Sequence, residues 1–222
     1  MHLFNEWQKE GVYKAIFERR DIREFRADPL PEEKLQKIIL AGHHAPSVGF
    51  MQPWNFIVVQ SQERKERLAT ICQKEVKALA IHYEDERKTK FLSLKVEGIR
   101  EAPVTICVTC DPTRGGGHVL GRNSIPETDI LSVACCIQNM WLAAYAEGIA
   151  MGWVSFYKKH DVREILGIPP HIEPVALLSL GYTDHYPDAP LLEQAKWEKR
   201  LQVRDLIRHD NWNEVCRWQF ED

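Results

Sequence analysis

The chain has 222 residues, 44% hydrophobic and 27% charged, enough for a sizeable buried core and unlike a disordered or fibrous chain. A formal charge of −3 gives no basic footprint, so nucleic acid is not an expected partner. No apolar run approaches the ~20 residues that cross a bilayer, and the opening MHLFNEWQKEGVYKAIFERR lacks the basic start and apolar centre of a signal peptide. A cytoplasmic protein without a membrane partner is expected.

In chain order, Trp7, Val12, Ala15 and Ile16 recur at helical spacing and predict a first helix running to about Arg20. A second helix opens at Pro31 with Glu32 and Glu33 in its first turn and stops before Pro46. Its Leu35, Ile38, Ile39 and Gly42 share one face, which should be buried. NFIVVQ reads as a strand, and the charged stretch from Gln62 to Arg100 as two helices broken near His82.

APVTICVTCD is a second, buried strand, and PTRGGGHVLGRNSIPE a loop. ETDILSVACCIQNMWLAAYAEG makes a long helix that is apolar on most faces, as central or interfacial helices are. IAMGWVSF and IEPVALLSLGY are two further strands, separated by the short helix DVREILGI. From Thr183 onward the chain is punctuated by Pro and rich in charge and Trp, with one more helix near Arg204. Helices and strands do not alternate regularly, so the fold class is α+β rather than a doubly wound sheet.

The cysteines are too sparse for a disulfide framework. Cys107 and Cys110 form a C-x-x-C inside a strand, where residues three apart point to opposite faces, so they read as small buried hydrophobes. Gly115 and Gly117 begin a G-x-G, but Leu120 stands where a dinucleotide fingerprint needs its third glycine, and no G-K-[ST] follows. That loop reads as a turn. His43 and His44 are adjacent and poorly placed to share a metal, no HExxH is present, and no metal site is expected.

Four stretches can carry chemistry. In RRDIREF, Arg19, Arg20 and Arg23 surround Asp21, and an extended chain after the helix puts Asp21 and Arg23 on one side. Guanidinium forks suit phosphate, whereas the carboxylate repels it, so the group reads either as an anion site or as a structural ion pair. APSVGFMQPWNF joins a helix to a strand through Ser47, Gly49 and Gln52, and Gln52 offers both a donor and an acceptor for an imide edge. GWVSF supplies Gly152 and Ser155, without a G-x-S-x-G elbow around the serine. Lys199, Arg200 and Arg204 cluster late in the chain.

Taken in order, RRDIREF, HHAPSVGFMQPWNF, SLKVEGIREAPVTICVTCD, GWVSF and the late Lys199-Arg200 pair resemble the FMN-dependent nitroreductase superfamily, from about residue 9 to about residue 208. The resemblance implies a central, mostly antiparallel sheet flanked by helices, in an intertwined homodimer with FMN at the subunit interface. It implies a single domain over residues 1–222, with a lid segment at about 80–100 and a C-terminal extension at about 183–222. On the same ground Arg19, Arg20 and Arg23 would hold the FMN phosphate, ribityl chain or ring edge, with Ile22 among them and Arg200 adding a phosphate contact. Ser47, Gly49 and Gln52 would line the isoalloxazine, with Gly152 and Ser155 on its other side.

Asp21 stands where the superfamily usually has Ser, and Phe50 where Asn is common. An added acid and a lost polar ring contact fit the branch in which FMNH2 is itself the substrate and is fragmented with O2. Asp21 and Ser155 are the catalytic candidates there, and a separate flavin reductase would supply the FMNH2. An NAD(P)H-dependent nitroreductase or flavin reductase, and a non-catalytic flavin-binding dimer, are the alternative readings.

Overall fold

Four strands form one antiparallel sheet in the order β1-β2-β4-β3, with β1 at Trp54–Val59, β2 at Val104–Cys110, β3 at Ala150–Val154 and β4 at Glu173–Gly181. The two central strands, β2 and β4, are buried almost end to end, which explains their near-continuous apolar sequence. The computed structural model describes residues 3–220, so the outermost ends of the expected domain lie outside the described residues. These residues divide at Tyr186 and Pro187 into a large unit holding the sheet and a C-terminal unit.

Each face of the sheet carries its own helix layer and core. One face packs Ile106, Val108, Leu178 and Met151 against Leu35 and Ile38 of α2 (Glu32–His43) and Val133, Ile137 and Met140 of α5 (Thr128–Ala146). The other packs Cys107, Val154 and Leu177 against Leu68 and Cys72 of α3 (Gln62–Leu79) and Val162 and Ile165 of α6 (Lys159–Leu166). Cys107 and Cys110 therefore fall in different cores, as the strand alternation requires. The result is α+β, with helices on both faces of an antiparallel sheet.

The charged stretch after β1 becomes α3, a 3-10 turn at Ala80–His82 and α4 (Asp85–Ser93), so the break falls where the sequence placed it. Helix α1 (Glu6–Glu18) begins in a reciprocal cap, Asn5 Oδ1 accepting from Gln8 N–H and Gln8 Oε1 from Asn5 N–H, each at 2.9 Å. It ends at Glu18, two residues short of the Arg20 that the sequence suggested, because Arg19 adopts an extended conformation at its C-cap. None of its residues is buried, and Trp7, Tyr13 and Phe17 stand exposed along it. The C-terminal unit holds two short helices, α7 (Leu191–Gln194) and α8 (Val203–Leu206). No described helix is long and apolar enough to cross a membrane.

Candidate functional site

The chain leaving α1 runs beside β3. Asp21 forms an isolated parallel bridge with Met151, and Ile22 N–H donates to Met151 O at 3.1 Å. This pairing turns the Asp21 and Arg23 side chains to one side, and the Arg23 guanidinium engages both oxygens of the Asp21 carboxylate, Nη2 reaching Oδ2 at 2.5 Å. Trp153 N–H adds a third bond to Asp21 Oδ1, at 2.9 Å. The carboxylate is thus fixed in orientation while its side chain keeps 44% of its surface exposed, against 10% for Arg23.

Arg23 is fully committed to protein acceptors. Nε donates to Val96 O at 3.0 Å, Nη1 to Ile22 O at 3.2 Å and Nη2 to Trp153 O at 2.6 Å, beside the two bonds to Asp21. A guanidinium has five N–H groups, and here each meets a protein acceptor. Gly152 makes this approach possible: a Cβ there would lie 2.0 Å from Ile22 O and 2.4 Å from Arg23 Nη1. Ile22 is buried, and it presents its backbone rather than its side chain.

Arg19 and Arg20 differ from Arg23. The Arg19 guanidinium lies 4.8 Å above the Trp141 ring, a cation–π contact, and its Nε is buried without an acceptor among the described residues. Trp141 Nε1–H donates to Arg20 O at 3.2 Å, and Arg20 N–H donates to the Tyr186 hydroxyl at 3.1 Å. Nearby, Tyr145 donates to Glu18 Oε2 at 2.8 Å, and burial together with that bond pushes its hydroxyl up to about 12.

Ser47, Gly49 and Gln52 form a separate cluster in the loop between α2 and β1. Ser47 Oγ accepts from Gln52 N–H at 3.1 Å, and Gln52 Nε2 donates to Phe50 O at 3.3 Å. Gly49, Phe50 and Gln52 all have positive φ, at 57°, 53° and 48°, which is costly for the two that carry side chains. Strain of this kind persists only where surrounding contacts over-determine the backbone.

Two arginines that the sequence reading passed over supply those contacts. Arg114 Nη1 donates to Gln52 O at 3.2 Å and Trp54 O at 3.3 Å, and its Nη2 to Asn55 Oδ1 at 2.7 Å. Arg122 donates to Arg114 O and Gly116 O, each at 2.8 Å. The glycine loop is therefore the backing of the strained loop, and a Cβ on Gly49 would strike Val119 Cγ1 at 2.6 Å. The available signal was an arginine on either side of GGG with Asp129 seven residues beyond the second.

Ser155 follows β3 and is exposed. The next residue, Phe156, faces Phe91 of α4 with ring centroids 6.2 Å apart, and Phe91 in turn stacks against Tyr83 at 4.7 Å. Segment 80–100 thus meets the chain just after β3 through these rings, and Arg23 through Val96 O. Arg200 is an exposed residue of the C-terminal unit, between α7 and α8. Among the described residues no His, Cys, Asp and Glu side chains gather to hold a metal.

The nitroreductase family model matches residues 16–182, and the chain belongs to that family. It is 37% identical over 202 residues to 5,6-dimethylbenzimidazole synthase of Rhodospirillum rubrum, covering 89% of this chain and 94% of that protein. It is 33% identical over 198 residues to the Rhodobacter capsulatus protein of the same name, covering 89% and 96%. The solved structure of iodotyrosine deiodinase bound to FMN and 3-iodo-L-tyrosine shares the fold, with a TM-score of 0.72, 18% identity and coverage of 90% of this chain and 100% of that one.

A phosphate-bearing flavin suits the donors present. The unpartnered, buried Nε of Arg19 is a donor that an anionic oxygen would satisfy, and Ser47 and Gln52 carry polar groups suited to a heterocycle edge.

Proposed function

We propose that the protein catalyses the 5,6-dimethylbenzimidazole synthase reaction, the O2-dependent fragmentation of FMNH2 to 5,6-dimethylbenzimidazole and erythrose 4-phosphate. The observation that carries this reading is the carboxylate of Asp21, held by Arg23 and by Trp153 N–H yet open to solvent on one side. The 37% and 33% identity to two synthases over most of the chain supports the same reaction class.

Arg19 and Arg20 would hold the phosphate and ribityl chain. Ser47, Gly49 and Gln52 would hold the ring edge, with the Ile22 backbone, Gly152 and Ser155 on the side of β3. The bound reduced flavin supplies a ring that reacts with dioxygen. Asp21 would hold or move a proton at the ring and ribityl positions, and Ser155 would donate a hydrogen bond beside it. Segment 80–100 would exclude water while the reaction proceeds. The working unit would be a homodimer in the cytoplasm, with FMNH2 supplied by a separate reductase.

The test is to give the purified protein chemically reduced FMN without NAD(P)H, admit O2, and assay for 5,6-dimethylbenzimidazole by chromatography with mass detection. Product formation is expected. Clean reoxidation to FMN contradicts the proposal, and rapid oxidation of added NADH by the protein instead supports a flavin reductase or nitroreductase.

A further inference from the structure

Helix α1 buries none of its own residues, so its end needs an outside hold to place the arginines that follow it. Three aromatic side chains supply one. Trp141 and Tyr145 stand one turn apart on α5 and therefore share a face. Tyr186 lies beyond β4, its ring centroid 5.3 Å from that of Tyr145.

These side chains take residues 18, 19 and 20 in turn. The Tyr145 hydroxyl donates to Glu18 Oε2 at 2.8 Å, and Lys14 pairs with the same carboxylate. The Arg19 guanidinium lies over the Trp141 ring, 4.8 Å from its centroid. Trp141 Nε1–H donates to Arg20 O at 3.2 Å, and the Tyr186 hydroxyl accepts from Arg20 N–H at 3.1 Å. Both polar groups of the Arg20 main chain are thus held. Trp141 is itself buried in the core that α2 and α5 form on the sheet, so this platform does not depend on α1.

Stacking suits a guanidinium that must bind an anion. The ring takes one face, while all the N–H groups lie in the guanidinium plane and point outward. An arginine free in solvent gives up rotamer freedom when a ligand orders it, and one already stacked on a buried ring has less to lose. We propose that Trp141, Tyr145 and Tyr186 form a clamp that positions Arg19 for the flavin phosphate, with Trp141 the principal positioning residue. The inference deepens the proposed function: it rests on the reading of Arg19 as a phosphate ligand and adds what sets its aim. Its consequence is selective. Weakening the clamp costs affinity for a flavin that carries the phosphate and spares one that lacks it.

The experiment measures binding of oxidised FMN, and of riboflavin, which has no phosphate, by flavin fluorescence. Wild type should bind FMN about tenfold or more tightly than riboflavin. Trp141→Phe keeps a ring face beneath Arg19, and its preference for FMN should stay within about threefold of wild type. Trp141→Leu removes both the face and the N–H, and should lower that preference about tenfold with riboflavin affinity changed less than about threefold. An unchanged preference in Trp141→Leu, or equal losses for both flavins, overturns the proposal. Should Trp141→Leu not fold, the double variant Tyr145→Phe, Tyr186→Phe keeps every ring and removes two hydroxyls. A preference lowered about threefold or more there supports the clamp, and an unchanged one overturns it. Equal binding of the two flavins by wild type also overturns it, by removing the phosphate contact. A wild type that prefers FMN yet yields no 5,6-dimethylbenzimidazole refutes the proposed reaction alone, and the variants still decide the role of Trp141.

Discussion

Arg122 and Asp129 form a nearly enclosed ion pair, Nε donating to Oδ1 at 2.9 Å, that ties the glycine loop to the first turn of α5. The acid also lies at a helix N-terminus, where negative charge is favoured. Arg122→Ala removes the partner of a buried carboxylate and the bonds that hold Arg114 O and Gly116 O. A loss of about 3 kcal/mol in denaturant unfolding of the flavin-free protein is expected. Because Arg114 steadies Gln52, the variant should also bind FMN more weakly; unchanged stability would remove this pair from the account.

Gly152→Ala tests the close approach of Ile22 to β3. No side-chain rotation relieves a Cβ lying 2.0 Å from a backbone oxygen, so the strand beside β3 must move. Destabilisation of about 3 kcal/mol or more is expected, with loss of FMN binding read by flavin fluorescence. Full FMN binding by a stable Gly152→Ala protein would show that the Asp21 strand is not held as described.

Burial pushes the thiols of Cys72, Cys107 and Cys136 up to about 12 and that of Cys110 up to about 11, from an ordinary 9.0. Above pH 9 the unfolded chain gives up these protons while the folded chain keeps them, so stability falls as pH rises from there towards 11. In the native protein at pH 8 only Cys135 and Cys216 should react readily with a maleimide, since the other four are buried. Mass spectrometry of labelled peptides with and without denaturant checks this.

Exposed apolar side chains mark where a second copy would be covered. Trp7 on α1 and Phe50 in the strained loop are each 80% exposed, and a soluble monomer gains nothing from either. Sedimentation at micromolar concentration should give a species of about twice 25.8 kDa. A species of 25.8 kDa would contradict the proposed dimer.

Local pattern carried most of the fold. The strands were legible because they are short, largely apolar runs that begin or end near Pro or Gly, and the opposed faces of Cys107 and Cys110 follow from strand geometry alone. The proximity of Asp21 and Arg23 was also legible, since it depends on an extended chain after α1. What could not be read was long-range. Arg114 and Arg122 look like ordinary loop arginines until the backbone brings carbonyls of residues 52, 54, 114 and 116 around them. The role of Gly152 likewise depends on which chain segment lies opposite, which no periodicity reports. Helix α1 shows the converse: its apolar spacing is that of a buried helix, yet none of its residues is buried in the single chain.

The most direct measurement sets wild type beside Asp21→Asn in a single turnover of prereduced FMN exposed to O2. The amide keeps the shape of the group and one acceptor for Trp153 N–H, but it loses the charge that pairs with Arg23 and the capacity to accept a proton. The variant should bind FMN about as tightly as wild type, within about threefold, and return it by reoxidation with 5,6-dimethylbenzimidazole reduced about a hundredfold or more. Equal product from the two proteins would contradict the assignment of Asp21 as the group that turns a flavin cradle into a flavin-consuming site.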